Sequence, residues 1–192
     1  MELTKDNYKK YKDLSIFPAD QLVEFFSTIP KIQVLRFLRK FDPAILAKLM
    51  EEWPSELSSQ WKMGLEYEEN TVGELMQPAA LVLNENQTIA DAIAEVKKIP
   101  QEILFTYGMV VDDSQRVTGV LVFKDIFYYE SSALMKDICF KNAICLKATD
   151  DIFATFNDIA GKQIPEFPVV DDDGKLLGTL RGNHVNDAHA MQ

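Results

Sequence analysis

Two pairs of short runs decide the fold: Val110-Val111-Asp112-Asp113 with Gly119-Val120-Leu121, and Val169-Val170-Asp171-Asp172 with Gly178-Thr179-Leu180. Each pair joins a β-branched strand to an Asp-Asp turn and then to a second strand that contains glycine. The spacing is the same in both, since Val110 leads to Gly119 as Val169 leads to Gly178. Working outward, Ala80–Leu83 and Ala143–Leu146 predict a leading strand in each copy, in which Leu83 corresponds to Leu146. The interval from Leu83 to Val110 is longer than that from Leu146 to Val169. The first copy therefore carries four extra residues ahead of its second strand, around Pro100–Phe105. Helical periodicity fills Ile89 to about Lys98 and Asp150–Ala160. A helix is expected from near Lys124, and a last helical piece over Val185–Ala190. The order strand–helix–strand–strand–helix thus occurs twice, which is an internal duplication.

The first third reads differently. Pro18, Pro30, Pro43 and Pro54 recur at nearly even intervals, each at the head of an apolar-periodic segment. Asp42-Pro43 has the form of an N-cap followed by proline at the first helical position. Ser27 and Thr28 are candidates for similar work before Pro30. Leu22, Phe25, Phe26, Val34, Leu35, Leu38, Leu49, Met50, Trp53 and Trp61 fall on helical faces, so a small stack of short helices is expected. The fold class is α+β: a helical-repeat domain over 1–70, then two βαββα units over 71–132 and 133–192.

Composition bounds the function. The chain carries 20 basic and 30 acidic side chains, a net charge of −10. Residues 1–70 hold 10 basic and 12 acidic groups; residues 71–192 hold 10 and 18. An acidic module repels phosphate backbones, so nucleic acid is not an expected partner. No apolar run approaches roughly 18 residues and the start is polar, so neither membrane insertion nor a secretory leader is expected. A cytoplasmic location follows as an expectation. Cys139 and Cys145 are too few for a disulfide framework and lack zinc-site spacing. The only histidines are His184 and His189, and no nucleophile triad or phosphate loop is present, so no enzyme is expected. Asp171-Asp172-Asp173-Gly174 lacks the spaced oxygens and the terminal glutamate of a calcium loop and reads as a hairpin turn.

The duplicated Val-Val-Asp-Asp, turn and glycine-strand series resembles a tandem CBS-domain pair. The run Tyr67-Glu68-Glu69-Asn70-Thr71-Val72-Gly73-Glu74-Leu75-Met76 is similar to the junction of the MgtE family of magnesium transporters, where a helical domain leads into the CBS pair. Phe41-Asp42-Pro43 and Trp53-Pro54 are similar to that family's helical repeats. The resemblance implies a homodimer through the CBS units and a membrane transport domain as a further partner. That domain has no counterpart in these residues, as expected of either an excised portion or a free-standing relative.

The resemblance also implies ligands. Many CBS units hold ribose through a Thr or Ser and an Asp three residues later. Here those positions read Val122 and Asp125 in the first copy, Arg181 and His184 in the second, so only Asp125 is a nucleotide candidate. An N-cap role is the plain alternative for Asp125. In MgtE-like proteins, Mg²⁺ bridges carboxylates between the helical domain and the CBS pair. Glu51, Glu52, Glu68, Glu69 and Asp187 are the candidates, since a hard cation takes one or two carboxylates and keeps its waters. His184 stands where that family usually has Asp, and imidazole is a poor magnesium ligand. The expected function is a regulatory module sensing divalent cation. The alternatives are an adenine-nucleotide module or a ligand-free dimerisation scaffold.

Overall fold

The structure is a computed structural model that describes residues 3–159, 162 and 164–182. Four helices form the first domain: α1 Ala19–Phe26, α2 Lys31–Leu38, α3 Pro43–Glu52 and α4 Ser55–Leu65. Each begins at or beside one of the spaced prolines. Asp42 caps α3, its carboxylate accepting from Ala44 N at 2.9 Å and Ile45 N at 3.3 Å. Ser27 and Thr28 do other work than expected. Their hydroxyls donate back to the Val23 and Phe25 carbonyls and close the end of α1, while Pro30 heads α2 without a side-chain cap. The stack has its own core, in which Phe26 meets Phe37, Trp53 and Trp61 at ring distances of 6.2, 6.1 and 5.8 Å.

After a one-turn helix, α5 Val72–Leu75, come β1 Val82–Asn84, α6 Ile89–Val96, β2 Tyr107–Val111 and β3 Val117–Val122. Then come α7 Met135–Ile138, β4 Leu146–Lys147, α8 Ile152–Ile159, β5 Glu166–Val170 and β6 Leu176–Arg181. Each unit is a three-stranded sheet, ordered β1-β2-β3 and β4-β5-β6, with the first pair parallel and the second antiparallel. The duplication survives in detail. A bulge falls between Val110 and Val111 in one sheet and between Val169 and Val170 in the other. The parallel registers pair Leu83 with Val110 and Leu146 with Val169, which places the four extra residues between α6 and β2. The helix expected near Lys124 is a 3-10 turn, Phe123–Tyr128. The expected Val185–Ala190 helix lies outside the described residues.

The units are interlocked in a way their sequence order does not suggest. α5, which heads the first copy, buries Val72 and Leu75, with Met76 beyond it, in the core of the second sheet beside Leu146, Ile152 and Phe167. α7, which heads the second copy, buries Met135 in the core of the first, with Leu83 and Leu121. Backbone bridges follow the same exchange: Gln77 pairs with Thr179, and Phe140 with Val120. Arg116 and Lys175 pair across the hairpin starts and join the two sheets. Among the described residues no helix is long and apolar enough to cross a membrane.

Candidate functional site

A cluster of partly buried basic side chains around the buried Glu74 lies where the helical domain meets the second unit. Residues 31–40 hold four basic side chains and no acidic one. Three of them, Lys31, Arg36 and Arg39, reach across to the junction run. Lys31 Nζ donates to the Met76 carbonyl at 2.6 Å. Arg36 donates to Asn70 Oδ1 at 3.2 Å. Arg39 donates to the Tyr67 carbonyl at 2.7 Å, to the Gly64 carbonyl at 3.3 Å, and to Glu74 Oε1 at 3.3 Å. Between the basic residues, Ile32 enters the core of the second unit.

The junction run is built for this contact. Asn70 has φ +63°, and its N–H donates to Glu74 Oε2 at 2.7 Å. Thr71 caps α5. Gly73 lies against the Tyr67 ring, where any Cβ would collide. A Cβ on Gly64 would stand 2.6 Å from the Glu74 carbonyl oxygen, so α4 and α5 touch only because that position is bare. The Glu74 side chain is 1% exposed. Burial pushes its carboxyl above the usual range, while the Asn70 N–H and Arg39 pull it back. Burial draws Lys31 down to about 8, against the upward pull of Glu74.

The sign of the Lys31 effect can be tested. A base with its pKa lowered in the folded state binds fewer protons there than in the unfolded chain. The penalty for burying its charge is full below about pH 8 and fades toward 10.5. Relative to Lys31→Met, the wild type should therefore gain stability as pH rises through that window. Parallel denaturant curves for the two proteins measure it, and a constant difference would contradict the burial of this charge.

At this seam, then, fixed cations stand where facing carboxylates were expected. Glu69 is drawn to Arg39, 3.8 Å away, and remains half exposed. Glu68 is exposed. Glu51 and Glu52 sit at the exposed end of α3, with Glu52 3.9 Å from Lys48. Among the described residues no group of three or more His, Cys, Asp or Glu side chains is placed to hold a metal ion. Asp187, with His184 and His189, lies outside the described residues. The residue that sequence reasoning missed is Glu74. The signal was available in residues 31–40, four basic side chains with no acid among them, which need a buried acid or carbonyls to face.

A cleft of about 600 Å³ opens between α4 and the paired units, lined by Ser59, Gln60, Gln77, Glu102, Leu104 and Arg181. A smaller cavity of about 170 Å³ adjoins it, between Thr106, Tyr107, Pro165, Glu166 and Arg181. The extra residues of the first unit thus form a wall of the cleft. Arg181 donates to the Leu104 carbonyl at 3.2 Å and so ties β6 to that wall. Beneath it, Thr179 Oγ1 donates to the buried Glu166 carboxylate at 2.6 Å. Such a cleft offers a guanidinium for an anion and hydroxyl and amide groups for a polar ligand. Asp125 lines neither cavity. It sits within the 3-10 turn and pairs with Lys124 at 3.0 Å, while Val122 stands at the cap position without a side-chain bond, so the N-cap alternative is not the one adopted.

Comparison with known proteins agrees with this architecture. The CBS domain family matches residues 72–132 and 135–186. The magnesium transporter MgtE of Thermus thermophilus is 25% identical over 154 residues, 80% of this chain and 34% of the relative. The chain spans about a third of the length of the curated relatives it matches. A crystal structure of the soluble part of a magnesium transporter superposes with a TM-score of 0.74 at 23% identity, covering 97% of this chain and 73% of that one. The cytosolic domain of the Mg²⁺ channel MgtE in complex with ATP gives the same score and identity, covering 97% and 76%. With two matched copies that exchange their leading helices across paired sheets, this chain belongs to the CBS domain family.

Proposed function

We propose that the chain is the regulatory portion of an MgtE-like magnesium transport protein, acting on a membrane-spanning transport domain. The observation that supports this best is the likeness over 97% of the chain, helical domain included, to the soluble part of a magnesium transporter. A CBS pair alone would match only the C-terminal two thirds.

In this reading the chain responds to divalent cation from the cytoplasmic side, as a homodimer through its CBS units. The seam within the chain is occupied by lysine and arginine, so a bridging cation acts on the carboxylates left outward. These are Glu51, Glu52 and Glu68, with Glu69 at the edge of the seam and Asp187 near the C-terminus. They would face a second copy or the transport domain. The net charge of −10 over the chain supports this, because opposed acidic faces repel until a hard cation lies between them. Thermal melting tests it: millimolar Mg²⁺ should raise the melting temperature by several degrees, and Glu51→Gln with Glu52→Gln should reduce that rise. An equal rise from sodium at matched ionic strength would overturn it.

A second reading, adenine-nucleotide binding, is supported by the likeness to the ATP complex of MgtE, with Asp125 as the residue that the resemblance offers for it. Titration calorimetry with ATP, ADP and AMP separates the two. Heat that Asp125→Ala abolishes supports the nucleotide, and no heat with any of the three removes it.

A further inference from the structure

The resemblance to MgtE implies a helical domain that docks when a cation neutralises facing acids. The seam in this chain is built otherwise. We infer that the helical domain and the second CBS unit move as one body, clasped by Lys31, Arg36 and Arg39, and that removing divalent cation does not separate them.

Four observations carry this. The acceptors of the clasp are the Met76 carbonyl and the Glu74 carboxylate beyond the helical domain, with the Tyr67 carbonyl and the Asn70 side chain in the junction run between them. Each is supplied by the chain, and no ion is needed to complete them; Arg39 Nε alone has no hydrogen-bond acceptor among the described residues and lies 3.8 Å from Glu69. Glu74 is buried and already holds Asn70 N–H and Arg39, so both of its oxygens are engaged. A divalent cation entering here would meet three positive side chains first, and repulsion between like charges grows as water is excluded. Ile32 lies in the core of the second unit, so separation would expose apolar surface as well as breaking the charged contacts. The bare position Gly64 lets α4 approach the Glu74 backbone, and bare Gly73 lets α5 pack on the Tyr67 ring, a fit that a sliding or intermittent interface does not need.

The inference rests on the seam and stands whether or not the chain serves magnesium transport. An intrachain distance tests it. Spin labels go on Lys48→Cys, exposed on α3, and on the native Cys145, with Cys139→Ser, in full-length chain diluted into unlabelled protein. The expected result is one distance distribution, the same in EDTA and in millimolar Mg²⁺. In Lys31→Ala/Arg39→Ala a second, longer population should rise by at least about tenfold in both conditions, because that variant removes the donors of buried, charge-assisted bonds. Arg39→Lys, which keeps the charge but loses the fork, should show an intermediate rise and guards against a double variant that fails to fold. A longer distance in EDTA for the unchanged clasp overturns the inference. So does a folded double variant that stays compact.

Discussion

Replacing Arg39 by alanine is expected to lower the unfolding free energy by roughly 3–5 kcal/mol, the range seen when one partner of a buried ion pair is removed. The reason lies in what remains. Glu74 would keep its place, 1% exposed, with the Asn70 N–H and the charge of Lys31 left to hold its carboxylate. The carbonyls of Gly64 and Tyr67 would lose donors at the same time. The Glu74 carboxyl is already pushed upward by burial, and losing Arg39 pushes it further. A group with its pKa raised in the folded state contributes stability at low pH that is lost as pH rises through that pKa. The defect in Arg39→Ala should therefore shrink as pH falls from neutrality toward the acid range. Glu74→Gln should be much milder, because it keeps the shape and an acceptor and removes the buried charge. Chemical denaturation at two pH values measures both effects. A loss below about 1 kcal/mol for Arg39→Ala would mean that the seam is solvated and weak.

Phe26→Ala is expected to be comparably severe, roughly 3–5 kcal/mol, for a different reason. Phe26 is 2% exposed and packs at the centre of the helical stack, edge-on to both tryptophans. Trp53 and Trp61 lie only 5.0 Å apart and are the two tryptophans of the chain, so their fluorescence reports this core alone. Its thermal transition should fall by roughly 10 °C, taking a few degrees per kcal/mol for a chain of this size. A shift of less than about 2 °C would show a core able to collapse around the lost ring.

The helical stack and the duplicated sheets were legible because they rest on local signals. Proline at Pro43 behind Asp42 starts a helix wherever it is placed, and period-two strands around an Asp-Asp turn make a hairpin without help from the rest of the chain. Even the four extra residues of the first unit could be located by comparing the two copies, although nothing in them said that they wall a cleft. The exchange of α5 and α7 was not legible. Four-residue helices carry too short a pattern to say which of two similar sheets they cover. The clasp escaped for another reason. Charge summed over residues 1–70 is nearly balanced, and the sum hides the stretch 31–40, which holds four basic side chains and no acid. Within the junction run, Glu68 and Glu69 invite attention as adjacent acids, yet they stay in water. Glu74 sits one helical step beyond Asn70, and only the fold shows that its side chain turns inward to meet Arg39. Asp125 has the form of an N-cap, but the turn it enters begins earlier, so its partner is Lys124.

The central claim is that Arg39 and Glu74 join the two domains as a coupled pair, and a double-mutant cycle measures that coupling directly. Unfolding free energies are needed for the wild type, Arg39→Ala, Glu74→Ala and the double variant at neutral pH. Coupling of at least about 1.5 kcal/mol is predicted, with the double variant less damaged than the two single losses added together. Additivity within about 0.5 kcal/mol would contradict the account, because the two side chains would then be acting as independent neighbours.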